Sequence, residues 1–417
     1  MEKQIHFIGI GGIGTSALAQ ILKHQGHKVS GSDLNSSEIT EQLELNGIKV
    51  YIGHDESHIN EQEIVIYSPA IPEENPELLK AHQLGLHCMS YPEALGELTE
   101  KYTTIAVAGT HGKSTTTAMI ALILNDAGLD PTVVIGTKIR EFNEQNFRIG
   151  KSKYLVIEAC EYKKSFSYLH PDILVITNIE AEHLDYYKNE ENYKQAFREL
   201  VNSLPEKATV IINANDQPSL EIIKDAKANI IQWHQIKDLK PGVAGKFNLE
   251  NATAAAHAAE ALEIPAEQIE KSIRNFKGTW RRMEYVKRVG ETEFIDDYAH
   301  HPTEIKATLG AIREKHPDAK ILCIFQPHQY SRTHHLLNEF AGSFAAVDQV
   351  VIPNIYQVRD SEADIAKVSA KDLVTLIGKK AWDGHSLGET AQWLEDNYQK
   401  FDIVVTMGAG NISKIIR

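Results

Sequence analysis

Val107-Ala108-Gly109-Thr110-His111-Gly112-Lys113-Ser114 follows an apolar run and opens a long helical pattern, which is the context of a loop that holds a nucleoside triphosphate. Glycines in such a loop let backbone N–H groups turn inward on phosphate oxygens, and the helix N-terminus adds partial positive charge. Lys113 is spaced to reach the outer phosphates, and the Ser114 hydroxyl to ligate Mg²⁺ or Mn²⁺. Gly112-Lys113-Ser114 matches the end of the G-x-x-x-x-G-K-[ST] pattern, but the first glycine would fall at Val107, so the loop is a variant. A ligand-free strand-to-helix turn would leave the Lys-Ser pair without a purpose.

Outward from this loop, short β-branched runs alternate with helical patterns at Ile5 to Ile8, Lys28 to Gly31, Ile64 to Tyr67, Thr104 to Ala108, Tyr154 to Glu158, Ile173 to Thr177 and Thr209 to Asn213. After a helical stretch from Phe247 to Asn275 the rhythm restarts at Phe294 to Asp296, Ile321 to Phe325, Gln349 to Pro353 and Ile403 to Gly408. The alternation predicts an α/β chain of three consecutive domains with mostly parallel sheets and crossover helices. Joints are expected near Gly96 to Tyr102 and Lys277 to Glu284, giving residues 1–99 (Rossmann-like), 100–279 (P-loop) and 280–417 (Rossmann-like).

A length of 417 residues suits two to four domains. The net charge of −14 argues against an extended nucleic-acid footprint. Cys88, Cys160 and Cys323 are too few and scattered for a disulfide framework or a cysteine zinc site, which suits a reducing compartment. No segment approaches a membrane span, and Met1-Glu2-Lys3 leads straight into a strand, so a cytoplasmic, unexported protein is expected. The sequence leaves oligomeric state open, a homodimer included.

In the first unit, Gly9-Ile10-Gly11-Gly12-Ile13-Gly14 lies between a strand and a helix, and Asp33 ends the next strand 19 positions later. This is a dinucleotide-type fingerprint, with Asp33 available to a ribose hydroxyl. By itself it does not choose between NAD, FAD and a nucleotide-diphosphate sugar. Tyr67-Ser68-Pro69-Ala70-Ile71-Pro72 ends another strand at the edge where such sheets bind ligands.

In the second unit, Glu158 closes a strand in Val156-Ile157-Glu158-Ala159-Cys160-Glu161, and His183 follows the next strand in acidic company at Glu180, Glu182 and Asp185. Carboxylates and an imidazole at such an edge are placed to hold Mg²⁺ over phosphates. The third unit carries Asp296-Asp297-Tyr298-Ala299-His300-His301-Pro302-Thr303-Glu304 and Phe325-Gln326-Pro327-His328-Gln329-Tyr330-Ser331-Arg332-Thr333, each after a strand. The paired histidines have only Glu304 nearby, too few ligands for zinc, so a substrate-binding edge is the better account.

Taken in order, G-T-H-G-K-S, E-A-C-E, N-I-E-A-E-H-L-D, F-N-L-E-N, W-R-R-M-E, D-D-Y-A-H-H-P-T-E and F-Q-P-H-x-Y-S-R-T span the whole chain. Together they resemble the Mur ligases, in the branch that acts on UDP-N-acetylmuramate and L-alanine. The resemblance implies ATP-dependent amide formation in peptidoglycan assembly, with the lactyl carboxylate phosphorylated and alanine's amine displacing phosphate. It implies that Gly11, Gly12, Gly14, Asp33, Ser68 and Ala70 hold the UDP sugar, and that Gly109, Thr110, His111, Gly112, Lys113, Ser114 and Thr115 cradle ATP. Asn248 and Asn251 would lie by the adenine, and Arg281 or Arg282 would reach the phosphates. Ser114, Glu158 and His183 would ligate the metal. Asp297, Tyr298, His300, Gln329 and Arg332 would face the amino acid, with Lys113, His300 and Arg332 catalytic.

Two departures from that pattern stand out. Relatives carry arginine where this chain has Gln329, and aspartate where it has Asn411, so the amino acid's identity is less secure than the reaction type. A ligase that reattaches a recycled peptide shares several motifs but typically lacks the segment Pro327 to Thr333. A nicotinamide-dependent dehydrogenase leaves Lys113, Ser114 and Glu158 unused, and a P-loop switch leaves two ligand-facing units unexplained.

Overall fold

The computed structural model describes residues 2–358 and 360–417; Met1, Arg359 and the side chain of Asp185 lie outside the described residues. Among the described residues the strands form three sheets. The first runs Lys49–Ile52, Lys28–Asp33, Gln4–Ile8, Ile64–Tyr67, His87–Ser90, all parallel. Its order reverses between Gln4–Ile8 and Ile64–Tyr67, so the turns after these strands diverge and leave a crevice at their carboxyl ends.

The second sheet runs Asn229–Trp233, Thr209–Asn213, Ile173–Ile176, Thr103–Ala108, Tyr154–Glu158, Thr132–Ile139, Gln145–Arg148. Only the last pair is antiparallel. Its central strands read IAVA, LVI and ILVI and are buried on both faces, as crossover helices on either side require. Thr103–Ala108 lies between Ile173–Ile176 and Tyr154–Glu158, so the loops after these three strands meet at one edge. Helix Lys113–Asp126 is buried from Ser114 through Leu124, apolar and hydroxyl residues alike, because it is sandwiched in the interior instead of presenting one face to water. Its far end is tied by Ser272 Oγ to Asp126 Oδ2 at 2.7 Å.

The third sheet runs Glu284–Val289, Thr292–Asp297, Ile403–Met407, Ile321–Phe325, Gln349–Pro353, Ala381–His385, with an antiparallel first pair and parallel pairs after it. Phe325, Phe340 and Phe344 pack its core.

The chain gathers into two compact units. One runs through Lys240 and takes in Asn251–Phe276, and so carries the first two sheets; the other is Pro241–Glu250 with Lys277–Arg417. Within the first unit, Asn146 Nδ2 donates to Ile13 O at 2.7 Å, tying the edge hairpin of the second sheet to the first helix of the chain. Among the described residues no helix is long and apolar enough to cross a membrane.

Candidate functional site

At the reversal point of the first sheet is a cavity of about 670 Å³ whose lining includes Gly11, Gly12, Asp33, His54, Ser68 and Ala70. Five of the six residues expected to hold a nucleotide sugar therefore meet in one place. Asp33 Oδ2 accepts from Gly11 N at 2.8 Å, which shapes the glycine loop from within. Gly14 does not line the cavity. A Cβ there would come within 2.5 Å of the Tyr91 hydroxyl, so this glycine permits close packing of the helix. His54, also in the wall, carried no motif signal.

The triphosphate loop follows Thr103–Ala108 and ends at Gly112, which caps helix Lys113–Asp126 at φ +80°. Gly109 sits at φ +130°. A Cβ at Gly109 would collide with Thr177 Oγ1 and one at Gly112 with Asn251 Oδ1, so neither position tolerates a side chain. The same contact places Asn251 against the loop. Thr110 Oγ1 donates to Glu180 O at 2.8 Å, and His111 Nε2 pairs with Glu180 Oε2 at 2.9 Å. The loop is thereby held by the turn after Ile173–Ile176. Thr115 is buried in the first turn of the helix.

Lys113 Nζ donates to Gly109 O at 2.7 Å and Thr110 O at 3.0 Å, and pairs with Glu161 Oε2 at 3.1 Å. Ser114 Oγ donates to Glu158 Oε2 at 2.9 Å, which also accepts from Gly136 N. His183 turns its Nε2 to Glu161 Oε1 at 3.6 Å. Glu161, Glu182 and His183 each offer a ligand atom, all within 4.8 Å of one another. The expected metal residues thus fall into a Ser114–Glu158 pair and a His183–Glu161–Glu182 group. Glu161 is the centre that the motif reading passed over, although it stands three positions after Glu158. Burial pushes the Glu161 carboxyl up, but Lys113 and His183 outweigh it and hold it below the usual range. Burial likewise works against the Lys113 charge, and Glu161 with Glu158 and Glu182 overcomes it, so the ammonium is held above its ordinary value.

In the second of the two compact units, Pro241–Glu250 with Lys277–Arg417, His300 lies between Tyr298 O, 3.1 Å from Nδ1, and Glu304 Oε2 at 3.4 Å. Arg332 Nη1 approaches His328 Nδ1 at 3.2 Å, and His328 stacks on Tyr356 with ring centroids 5.6 Å apart. The His300 and His328 rings are 6.2 Å apart. The structure therefore brings His300 and Arg332 together through His328, whose i, i+4 spacing from Arg332 was the available signal. Gln329 is buried at φ +76°, its N–H bonded to Tyr356 O at 2.9 Å.

Three of the expected residues carry hydrogen bonds within their own unit. Asp297 is buried and accepts from Met283 N and Ala299 N, both at 2.7 Å, and from Thr308 Oγ1, so its carboxylate braces the loop. Burial pushes its carboxyl up to about 6, against the pull of Arg282 and the two backbone donors. Arg281 is buried at φ +56°, with its guanidinium on Asp296 Oδ2 at 2.8 Å, Gly408 O at 2.6 Å and Gly410 O at 3.0 Å. Of the two arginines, Arg282 is the more exposed, set over the Tyr298 ring and 3.5 Å from Glu304. Asn248 is buried in the second unit, where its amide donates to Ala244 O at 2.7 Å.

Comparison with known proteins matches residues 4–103 to the Mur ligase family catalytic domain, 107–237 to the Mur ligase middle domain and 281–410 to the Mur ligase glutamate ligase domain. The chain is 40% identical over an alignment of 448 positions to a UDP-N-acetylmuramate–L-alanine ligase of Acetivibrio thermocellus, covering 99% of this chain and 94% of that one. It is 39% identical over 446 positions to the protein of the same name from Clostridium acetobutylicum, covering 100% and 97%. The solved UDP-N-acetylmuramate–alanine ligase MurC of Thermotoga maritima superposes with a TM-score of 0.83 at 27% identity, covering 99% and 97%. A murein peptide ligase of Psychrobacter arcticus, 24% identical over 99% of this chain and 97% of that one, shares the fold with a TM-score of 0.74.

Proposed function

Since the chain belongs to the Mur ligase family, we propose that it joins L-alanine to the lactyl carboxylate of UDP-N-acetylmuramate at the expense of ATP, in the cytoplasm. Residues 1–99 would form the sugar-nucleotide domain, 100–279 the ATP domain and 280–417 the amino-acid domain. The observation that carries the reading is Lys113 and Ser114 set against Glu158, Glu161 and His183 at one sheet edge, in a chain 40% identical throughout to a relative named for this reaction.

The oxygen-rich set of Ser114, Glu158, Glu161 and Glu182 with one imidazole, His183, fits a hard divalent cation such as Mg²⁺. When bound, such an ion supplies charge neutralisation at the transferring phosphoryl group. Lys113, freed from the Gly109 and Thr110 carbonyls by phosphate oxygens, stabilises the same charge. A lactyl carboxylate oxygen bonds to the γ-phosphorus as the bond to ADP breaks. The neutral amine of alanine then bonds to the acyl carbon, phosphate leaves, and the amine proton is lost. Arg332, with His328 and His300 beside it, is the group suited to hold the alanine carboxylate, since a guanidinium binds carboxylates through a two-donor fork.

Phosphate release measured with each substrate omitted in turn tests the proposal. Turnover should need both UDP-N-acetylmuramate and L-alanine. Full release without the sugar nucleotide would refute a carboxylate-activating ligase, and turnover with a tripeptide but not alanine would move the assignment to peptide recycling.

A further inference from the structure

Beneath the cavity of the first sheet lies a group of side chains that the ligase reaction, as argued so far, leaves unused. Glu77, the second residue of helix Pro76–Gln83, has no exposed side-chain surface and is ringed by three imidazoles: His58 Nδ1 at 2.5 Å, His54 Nδ1 at 3.3 Å and His6 Nε2 at 3.8 Å. Ser32 Oγ donates to Glu77 Oε2 at 2.5 Å. Burial pushes the Glu77 carboxyl up, but His6, Ser32 and His58 more than offset this and hold it at about 2. An ionised carboxylate in a dry interior needs compensating positive charge close by.

The tautomer of His54 follows from these bonds. Ser32 Oγ is also 3.0 Å from His54 Nδ1. Because the single hydroxyl proton of Ser32 goes to Glu77, the contact requires the proton on Nδ1 of His54. Nδ1–H then faces two acceptors, and Nε2 makes no hydrogen bond among the described residues. His58 is stacked on Tyr51 at 4.1 Å, and His6 is wholly buried with its Nδ1 on Ser30 Oγ at 2.9 Å. Of the three rings, only His54 belongs to the cavity wall.

The charge balance of that wall is unusual for a diphosphate site. Its described titratable residues are Asp33, His54 and Glu74, with no lysine or arginine. Asp55, next along the chain, caps the Ser57 N–H. The glycine loop and the N-terminus of helix Ile13–His24 offer N–H groups and partial charge only. His54 is therefore the one wall side chain that can become a full cation.

We propose that His54 takes up a proton at Nε2 when the diphosphate of the sugar nucleotide enters this cavity, and that Glu77, through Nδ1, is the positioning residue that makes His54 ready to do so. The proposal rests on the reading of the cavity as the sugar-nucleotide site. Sugar-nucleotide affinity should therefore rise as pH falls through neutrality, by up to about tenfold per pH unit, the limit for one linked proton.

Titration calorimetry of the full chain with UDP-N-acetylmuramate, in phosphate, HEPES and Tris buffers at neutral pH, reads the protons taken up from the dependence of heat on buffer ionisation enthalpy. Wild type should take up a substantial fraction of a proton with UDP-N-acetylmuramate and with UDP, and none with uridine. His54→Gln should still bind, more weakly, with no uptake and a flat affinity between pH 7 and 8. Glu77→Gln should lower the uptake and Glu77→Asp restore part of it; should both fail to fold by circular dichroism, His54→Gln decides alone. Buffer-independent heats in wild type, or uptake unchanged in His54→Gln, would overturn the proposal. No binding of UDP-N-acetylmuramate by wild type, with ATP binding intact, would instead overturn the assignment of the cavity.

Discussion

Lys113 is held by two carbonyls of its own loop and by Glu161, so its ammonium is poised but occupied. Lys113→Ala should abolish turnover while leaving the calorimetric affinity for UDP-N-acetylmuramate intact, since the sugar-nucleotide cavity has its own lining; joint loss of both would point to misfolding. Glu161→Gln keeps the shape but removes the charge that pairs with Lys113 and His183. It should lower kcat and raise the Mg²⁺ requirement by roughly ten- to hundredfold; an unchanged Mg²⁺ titration would remove Glu161 from the metal group. Arg332→Ala should raise the KM for L-alanine roughly ten- to hundredfold with the KM for ATP little changed, as expected for loss of a charge-assisted bond to a carboxylate. Motif reading located Lys113 and Arg332 but not their engagements, and it passed over Glu161. Asp297 and Arg281 sit in motifs as distinctive as that of Lys113, yet their partners are Met283 N, Ala299 N, Asp296 and the Gly408 and Gly410 carbonyls. A side chain's partners depend on segments distant in sequence, which a local pattern does not contain.

Elements were legible where burial is strongest. Ile64–Tyr67, Tyr154–Glu158, Thr209–Asn213, Ile321–Phe325 and Gln349–Pro353 coincide with the expected runs, because strands covered by helices on both faces must be apolar throughout. The strands that went unread include Lys49–Ile52, His87–Ser90, Gln145–Arg148, Glu284–Val289 and Ala381–His385, which all lie at sheet edges. An edge strand is half solvated and needs one pairing partner only, so its composition resembles that of a loop. Thr132–Ile139 is inside the sheet and also went unread; Gly136 interrupts its apolar run, with its N–H on Glu158. The glycine loop is an element whose geometry is sharply constrained. Gly112→Ala combines a left-handed backbone with a clash at Asn251 and should cost about 1–3 kcal/mol of stability in urea unfolding, with loss of ATP binding. Wild-type stability and nucleotide affinity in this variant would show that the loop is not constrained as described.

Across the whole molecule, two buried carboxyls oppose each other in their pH dependence. Glu77, in the first unit, is held at about 2 against an ordinary 4.5, so its contribution is present above about pH 4.5 and is lost as pH falls toward 2. On linkage alone that is on the order of 3 kcal/mol. Asp297, in the second unit, is raised to about 6 from 3.8, so the fold favours its protonated form and that unit gains stability as pH falls from about 6 to 4. Calorimetric unfolding between pH 7 and 3 should show the first transition weakening at the acid end, less so in Glu77→Gln. The second should strengthen near pH 5, an effect absent in Asp297→Asn. Parallel pH profiles for wild type and both variants would contradict this.

The sequence by itself determined the α/β class, the two glycine loops, Lys113 and Ser114, and the family motifs, because phosphate binding at a strand-to-helix turn is a local device of a few adjacent residues. Only the tertiary structure decided that Glu161 and not Glu158 pairs with Lys113 and His183, that Gly14 packs on Tyr91, and that His54 in a cavity wall is held by Glu77 from 23 residues away. Those choices are made by sheet order and by side chains meeting across it. Strand order reflects the packing of the whole core, which no short stretch of chain specifies.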